Sequence, residues 1–205
     1  MKLPIDVDSI KGFLDPVEGT ALFEYCLRGA SIGACLEIGS YCGKSTIYLG
    51  AACKQADRTL FAVDHHRGSE EHQLGEEFHD HDLFDDSVGL MDSFKEFRSA
   101  LRRSNLEDHV VPIVAPSEVA ARDWQTPLGM VFIDGGHSLE AALTDYDCWT
   151  RFIEVDGILA IHDIFPDPAD GGQAPYIIWR RAIDSGLFED LGIIRTLGIL
   201  RRKHG

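Results

Sequence analysis

The sequence predicts one α/β domain, a doubly wound parallel sheet that ends in an antiparallel hairpin. Short runs rich in Val, Ile, Leu and Phe recur along the 205 residues, and stretches with helical spacing separate them. Most of these runs are continuously apolar, as expected for strands that helices cover on both faces. Alternating strands and helices imply right-handed crossovers, and therefore a doubly wound sheet.

The predicted elements follow one another in a regular order. Apolar runs predict five strands at 35–39, 59–64, 110–115, 130–134 and 157–162, and a final pair at 191–197 and 198–202. Helical spacing predicts helices at 44–54, 92–104, 116–122 and 138–152. One more helix is expected before the hairpin, in the region of Arg180, Arg181, Leu187 and Phe188.

The domain is expected to span residues 1–205, because no repeat, low-complexity tract or Pro/Ser-rich linker marks a second one. A helical segment at 1–33 precedes the first strand. Two segments break the pattern: 65–92 is rich in acids and histidines, and 165–175 is rich in Pro and Gly. Both follow the carboxyl ends of predicted strands, where open α/β sheets bind ligands, so both are candidate lids.

The histidines of the 65–92 insertion lack the spacing of a metal-binding helical pair, which favours a solvated lid over a metal cluster. Arg67 is expected to pair with Glu70 or Glu71, or to contact an acidic acceptor. The histidines concerned are His65, His66, His72, His79 and His81.

The charge balance restricts the class of partner. Acids outnumber bases by 34 to 19, for a net charge of -15, which argues against binding to nucleic acid or to an acidic membrane surface. No run of 18 apolar residues and no apolar stretch of signal-peptide type at 1–12 is present, so a cytoplasmic location is expected. The expected partner is a small molecule, and a homodimer is compatible with the sequence.

A glycine-rich turn lies where the first strand should lead into the first helix of the sheet. Gly39 and Gly43 let the backbone turn tightly and approach a ligand. Three residues separate them, whereas a phosphate-binding P-loop needs four, and the spacing does not match a dinucleotide fingerprint. Glu37 would repel a pyrophosphate but suits a ligand with a positive amino group. Asp64, at the tip of the second strand, is placed to bind ribose hydroxyls, so a cationic nucleoside fits both acids.

Four motifs together resemble those of class I S-adenosylmethionine-dependent methyltransferases. They are Glu37-x-Gly39-x-x-x-Gly43, then Asp64, then Asp134-Gly135-Gly136-His137 at the end of an apolar run, and finally 157–163, which ends in His162-Asp163. The sequence is most similar to a small bacterial group whose fourth motif reads Asp-Gly-x-His and whose fifth ends in His-Asp. The resemblance covers about residues 34–165. It implies a seven-stranded, Rossmann-like sheet with a reversed terminal hairpin.

The resemblance also implies residue roles in binding S-adenosylmethionine. Glu37 and Gly39 would line the methionine moiety, together with the turn residues Ser40 and Gly43. Asp64 would bind the ribose and His65 would pack beside the adenosine. At the adenine edge the resemblance implies Ser117, for which a helix cap is an equally weighted alternative.

Methyl transfer to a hydroxyl requires removal of its proton, and His137 is the candidate base. In the catechol-type O-methyltransferases that the sequence resembles, a lysine fills the position three residues after the corresponding Asp. The alternative is a histidine that caps the next helix through Ser138. The acceptor is expected to be a small hydroxylated molecule.

Asp134, His162 and Asp163 end neighbouring predicted strands and could hold a divalent cation such as Mg²⁺ or Mn²⁺. Magnesium-binding relatives carry two oxygen ligands where this chain has His162-Asp163, and an imidazole favours Mn²⁺, Fe²⁺ or Zn²⁺. Without a metal, Asp134 could orient His137 or bind the amino acid end of the cofactor. Transfer to nitrogen or carbon, a hydroxylase-like oxidoreductase on the same fold, and a nucleoside-binding module without activity are the alternative functions.

Overall fold

A computed structural model of the chain describes residues 2–69 and 80–204. Seven strands form one sheet, in the order β5-β2-β1-β6-β7-β9-β8. They are β1 (Ala34–Ile38), β2 (Leu60–Val63), β5 (Val110–Ile113), β6 (Leu128–Ile133), β7 (Ile153–Ile161), β8 (Phe188–Ile194) and β9 (Leu197–Arg202), while β3 (Phe84–Asp85) and β4 (Leu90–Met91) form a separate small hairpin. The first five strands of the sheet run parallel, and β9 pairs antiparallel with both β7 and β8. The predicted mostly parallel, seven-stranded sheet with its antiparallel hairpin is confirmed.

Six helices are present in the described part of the chain, and they divide between two faces of the sheet. They are α1 (Pro16–Ala30), α2 (Lys44–Gln55), α3 (Phe94–Ser104), α4 (Ser117–Ala120), α5 (Leu139–Trp149) and α6 (Ala174–Asp184). One apolar cluster holds side chains of α1, α2 and α3, and the other holds side chains of α5 and α6. Neighbouring strand residues point to opposite faces, so Cys35 lies in the first cluster and Leu36 in the second.

Local sequence explains how α1 and α2 begin. Asp15 caps α1, with Pro16 at its first position and Glu18 completing a capping box. Gly43, at φ +96°, precedes α2 and supplies the left-handed backbone that the turn from β1 requires. α1 then packs closely on the sheet, since a Cβ at Gly129 of β6 would lie 1.9 Å from the carbonyl oxygen of Gly29.

Several predicted boundaries differ from those found. The helix predicted at 116–122 is only the four-residue α4. α6 begins at Ala174, inside the predicted 165–175 loop, and ends at Asp184, so Leu187 lies outside it and Phe188 opens β8. The first hairpin strand ends at Ile194, three residues before its predicted end, and the second begins at Leu197, one residue before its predicted start. Arg195, in the turn between them, has φ +57°, a left-handed conformation that is uncommon for a residue other than glycine.

The described part of the 65–92 insertion is partly regular. Residues after Asp80 form a short 3₁₀ turn and the β3–β4 hairpin. The guanidinium of Arg67 lies 3.4 Å from Asp92. The predictions for His72 and His79, and for pairing of Arg67 with Glu70 or Glu71, fall outside the described residues.

Candidate active site

A cavity of about 740 Å³ opens at the carboxyl ends of the parallel strands. Its walls come from the turn after β1, the ends of β2, β6 and β7, the segment after β5, and the first turns of α5. Residues 11–14, ahead of α1, form a further wall, and Lys11 ties that wall to Asp80 at 2.7 Å. The volume is that of a small-molecule site. The lining contains no residue of 165–175, so the predicted second lid does not border this cavity.

The turn after β1 leaves little room for side chains. Gly39 has φ +83°, and a Cβ there would lie 1.9 Å from the carbonyl oxygen of Asp134. Ser40 follows on the cavity wall, and its buried hydroxyl has no hydrogen-bond partner in the described part of the chain. Both residues line the cavity, and an unsatisfied buried hydroxyl in its wall is a feature of a ligand-binding turn.

Glu37 lies behind the cavity wall. Its side chain is fully buried and accepts hydrogen bonds from Ser45 Oγ at 2.5 Å and Thr46 Oγ1 at 2.6 Å, both in the first turn of α2. Burial raises the pKa of Glu37 to about 8, despite the two hydroxyl donors. From the sequence, Glu37 is expected to line the methionine moiety, but its side chain is buried and does not reach the cavity surface. Glu37 shares the face of Cys35, under α2, and reaches the cavity only through Ser45, which does line it.

Asp64 follows β2 and lines the cavity one strand away from Gly39. Its two carboxylate oxygens accept hydrogen bonds from the backbone N–H groups of Tyr41, at 2.8 Å, and His66, at 2.7 Å. These bonds fix the carboxylate at the cavity wall. His65 also lines the cavity, and its Nδ1 accepts the Arg67 N–H at 3.1 Å.

His66 turns away from that wall. The imidazole is buried against Phe94 and Phe97, and its Nδ1 lies 2.8 Å from the Ser93 hydroxyl. Burial lowers the pKa of this imidazole below its ordinary value. His66 therefore joins the insertion to α3.

Ser117 lies at the other end of the cavity, at the start of α4. Its hydroxyl donates to Asp145 Oδ1 of α5 and accepts the Trp149 Nε1–H at 3.0 Å. No side-chain cap bond forms at the start of α4, so the alternative assignment of Ser117 as a helix cap is wrong. Burial raises the pKa of Asp145 to about 6.

A histidine and three carboxylates lie together where β6 and β7 end. His162 Nδ1 is 3.1 Å from Asp134 Oδ1 and 3.5 Å from Asp163 Oδ2. His162 Nε2 is 3.0 Å from Glu18 Oε2, and the other oxygen of Glu18 accepts two bonds from Thr196 at 2.8 Å. Burial alone would lower the pKa of His162, but the surrounding carboxylates hold it above the ordinary value. Burial alone would raise the pKa of Glu18, but His162 and Thr196 lower it to about 2.

His137 stands at the rim of this cluster, with its side chain 40% exposed. Its Nε2 is 3.1 Å from Asp163 Oδ2. Burial would raise the pKa of Asp163, but hydrogen bonds from His137 and His162 hold it below its usual range. Ser138 caps α5, with its hydroxyl accepting the Ala141 N–H at 3.3 Å.

Comparison with known families decides the class of this site. A family model described as a methyltransferase domain matches residues 36–164, which is more than half of the chain. The protein belongs to this methyltransferase family. It is therefore an S-adenosylmethionine-dependent methyltransferase, as the motifs indicate.

Solved structures share the fold of this methyltransferase. The O-methyltransferase NovP is 18% identical, with a TM-score of 0.69 over 91% of this chain and 80% of its own. The O-methyltransferase from Bacillus cereus in complex with SAH (S-adenosylhomocysteine) is 14% identical, with a TM-score of 0.65 over 96% and 86%. The SAH-bound methyltransferase PaMTH1 from Podospora anserina is 13% identical, with a TM-score of 0.62 over 94% and 80%. At these identities the likeness establishes the fold.

In the methyltransferase, two buried acids contact candidate site residues although the sequence analysis did not single them out: Glu18 contacts His162, and Asp145 contacts Ser117. Glu18 comes from α1, far from the motifs, and Asp145 lies mid-helix in α5. The capping-box position of Glu18 and the helical position of Asp145 each have an ordinary local explanation, so neither residue signals a site.

Among residues 2–69 and 80–204, no helix combines the length and the hydrophobicity that a membrane span requires.

Proposed function

We propose that this methyltransferase transfers a methyl group from S-adenosylmethionine to a hydroxyl of a small molecule, with His137 as general base. The observation that carries this proposal is the His137–Asp163 pair at the rim of the cavity, with Nε2 3.1 Å from the carboxylate. A histidine oriented by a carboxylate is the usual arrangement for removing a hydroxyl proton. If Nε2 donates to Asp163, the lone pair is on Nδ1, the nitrogen that takes the proton.

The cavity has the features that the cofactor requires. Gly39 lets the turn pack against the backbone of Asp134 while lining the cavity, and the unsatisfied hydroxyl of Ser40 supplies a polar partner for the methionine end. Asp64 is held by backbone donors in a position to accept from ribose hydroxyls, with His65 beside it. Ser117 lies at the far end of the cavity, where the adenine ring of the cofactor would be bound.

Asp134, His162 and Asp163 form a donor set suited to a divalent cation. One ligand atom from each lies within 4.8 Å of the others. Two carboxylates and an imidazole bind a transition-metal ion such as Mn²⁺ more readily than Mg²⁺. A buried carboxylate on the far nitrogen of a ligating histidine is a common second partner, and Glu18 occupies that place. When bound, such a cation would bind the acceptor oxygen and lower its pKa.

Other residues of the chain would orient His162 and His137 and cover the acceptor. Glu18 fixes the ring of His162 from behind, and Thr196 fixes Glu18. Asp163 orients His137 at the point where the acceptor must approach. His65, Gly68 and Ser69, near the start of the insertion, line the cavity. We therefore assign the 65–92 insertion, rather than 165–175, to covering the bound acceptor.

A labelled methyl donor tested against phenols, sugars and amines, with products identified by mass spectrometry, decides between oxygen and nitrogen as acceptor. Methyl ethers are expected, and methylated amines alone would overturn the assignment. With an active acceptor, His137→Ala should lower kcat by about 10² or more while affinity for S-adenosylhomocysteine is kept. His204→Ala, an exposed histidine outside the cavity, is the matched control.

The metal is tested separately. Chelation should abolish turnover, and Mn²⁺ should restore more of it than Mg²⁺. Full activity after exhaustive chelation would remove the cation from the proposal and leave His137 as the base.

A further inference from the structure

Asp145 is a buried carboxylate in the cavity wall to which the roles above give no function. Its side chain belongs to α5, and the residue is 7% exposed. Oδ1 accepts the hydroxyl of Ser117, which is in turn held by Trp149. Oδ2 accepts no hydrogen bond from residues 2–69 or 80–204. The carboxylate is therefore fixed through one oxygen while the other is unused.

The position of Oδ2 is set by a glycine. A Cβ built on Gly135 would lie 2.4 Å from Oδ2, so any larger residue there would displace the carboxylate. Both residues line the cavity, next to Ser117 and Glu118 and beyond Asp64. The charges nearest Asp145 are those of Glu118 and Asp64, which are also negative. The Ser117 hydroxyl compensates the buried acid only at Oδ1, so a hydrogen-bond donor from a ligand to Oδ2 would stabilise it further.

The order of the strands places this acid near the purine. Asp64 follows β2, and Ser117 follows β5, the neighbour of β2 at the edge of the sheet. A nucleoside whose ribose is at Asp64 would extend its base toward Ser117, whose hydroxyl is bonded to the carboxylate of Asp145. Adenine presents an amino group at its exposed edge, and an ionised carboxylate can only accept hydrogen bonds.

We propose that Oδ2 of Asp145 accepts a hydrogen bond from the 6-amino group of the cofactor's adenine, and that it thereby selects a 6-amino purine over a 6-oxo purine. With a 6-oxo purine, two acceptor oxygens would face each other in a buried site, which is the stronger part of the selection. The proposal rests on the adenosine cofactor. It is independent of the acceptor, of His137 and of any metal.

Calorimetry with S-adenosylhomocysteine and with S-inosylhomocysteine, its 6-oxo analogue, measures the selection directly. The wild-type protein should bind the amino compound about 10²-fold more tightly, as expected when a buried acceptor would otherwise face another acceptor. In Asp145→Asn, the Ser117 hydroxyl still requires an acceptor, so the amide oxygen takes that place and the NH₂ faces the cavity. This variant should bind S-adenosylhomocysteine about 10-fold more weakly and S-inosylhomocysteine more tightly than the wild type.

Two further variants serve as a matched control and as a second way of displacing the Asp145 carboxylate. Asp147→Asn, on the same helix but exposed and paired with Arg181, should leave the preference unchanged. Gly135→Ala should displace the Asp145 carboxylate and reduce the preference without changing any charge, which covers the case that Asp145→Asn does not fold.

Three outcomes overturn the proposal. One is equal affinity of the wild type for the two compounds. Another is an unchanged preference in Asp145→Asn. The third is a preference lost in Glu118→Gln but kept in Asp145→Asn, which would assign the amino group to Glu118. None of these measurements involves methyl transfer, so failure of the O-methylation proposal is recognised separately.

Discussion

Replacing Glu37 with Gln should change how the stability of this methyltransferase depends on pH. Glu37 is fully buried under α2, and burial raises its pKa from 4.5 to about 8. Between these values the folded protein holds a proton on Glu37 that the unfolded chain has released. The free energy of unfolding contributed by this group therefore decreases as the pH rises from 4.5 to 8. A glutamine has the same shape and does not titrate.

The size of the effect follows from the size of the pKa shift. One pKa unit corresponds to about 1.4 kcal/mol, so the whole shift is on the order of 5 kcal/mol. From pH 5 to pH 8, the unfolding free energy of Glu37→Gln should improve relative to the wild type by about 4 kcal/mol. The amide also rearranges the hydrogen bonds from Ser45 and Thr46, which costs about 1 kcal/mol at every pH.

The assay is urea denaturation of the cofactor-free proteins at pH 5, 6, 7 and 8. Wild type, Glu37→Gln and the exposed control Glu24→Gln are compared at each pH. The control should follow the wild type throughout. A constant difference between Glu37→Gln and the wild type from pH 5 to pH 8 would show that Glu37 is ionised in the folded protein, and the reasoning from burial would be refuted.

Three further changes have defined outcomes. Gly39→Ala should lower the unfolding free energy by about 3 kcal/mol or more in thermal denaturation, because its methyl group meets a backbone carbonyl at 1.9 Å; Gly172→Ala, which meets nothing within 4 Å, should not, and equal Tm values would contradict the geometry of the turn. Asp64→Ala should weaken S-adenosylhomocysteine binding by about 1 to 3 kcal/mol in calorimetry, and unchanged affinity would remove Asp64 from the ribose site. Glu18→Gln should weaken Mn²⁺ binding by about 10-fold or more in the same assay, whereas equal affinity in Glu18→Gln and Glu24→Gln would argue against a role behind the metal ligand.

Sequence patterns were sufficient for the five parallel strands of the large sheet and for the residues that follow them. Gly39, Asp64, Asp134 and Asp163 all come directly after apolar runs, and the carboxyl ends of parallel strands meet at one edge of the sheet. Side-chain direction was harder to predict. Glu37 lies one residue before the end of β1, and the helix that covers its face determines whether it reaches the cavity or the interior.

Contacts between residues that are far apart in the sequence could not be predicted in the same way. Glu18 precedes His162 by 144 positions, and only the packing of α1 against β6 and β7 brings them together. Asp145 occurs in a helix whose pattern is already explained by its apolar face. Arg195 adopts a left-handed backbone that propensity does not favour.

The region matched by the family model, 36–164, therefore contains the strand ends that line the cavity. It does not contain all of the residues that position His162 between Asp134 and Asp163. Glu18 lies before that region and contacts the ring of His162, and Thr196 lies after it and donates hydrogen bonds to Glu18. Glu18 also sits only a few residues after 11–14, which form a wall of the cavity. Asp15, the next residue, caps α1, and Glu18 completes that capping box, so the cavity wall and the partner of His162 both belong to the start of this helix.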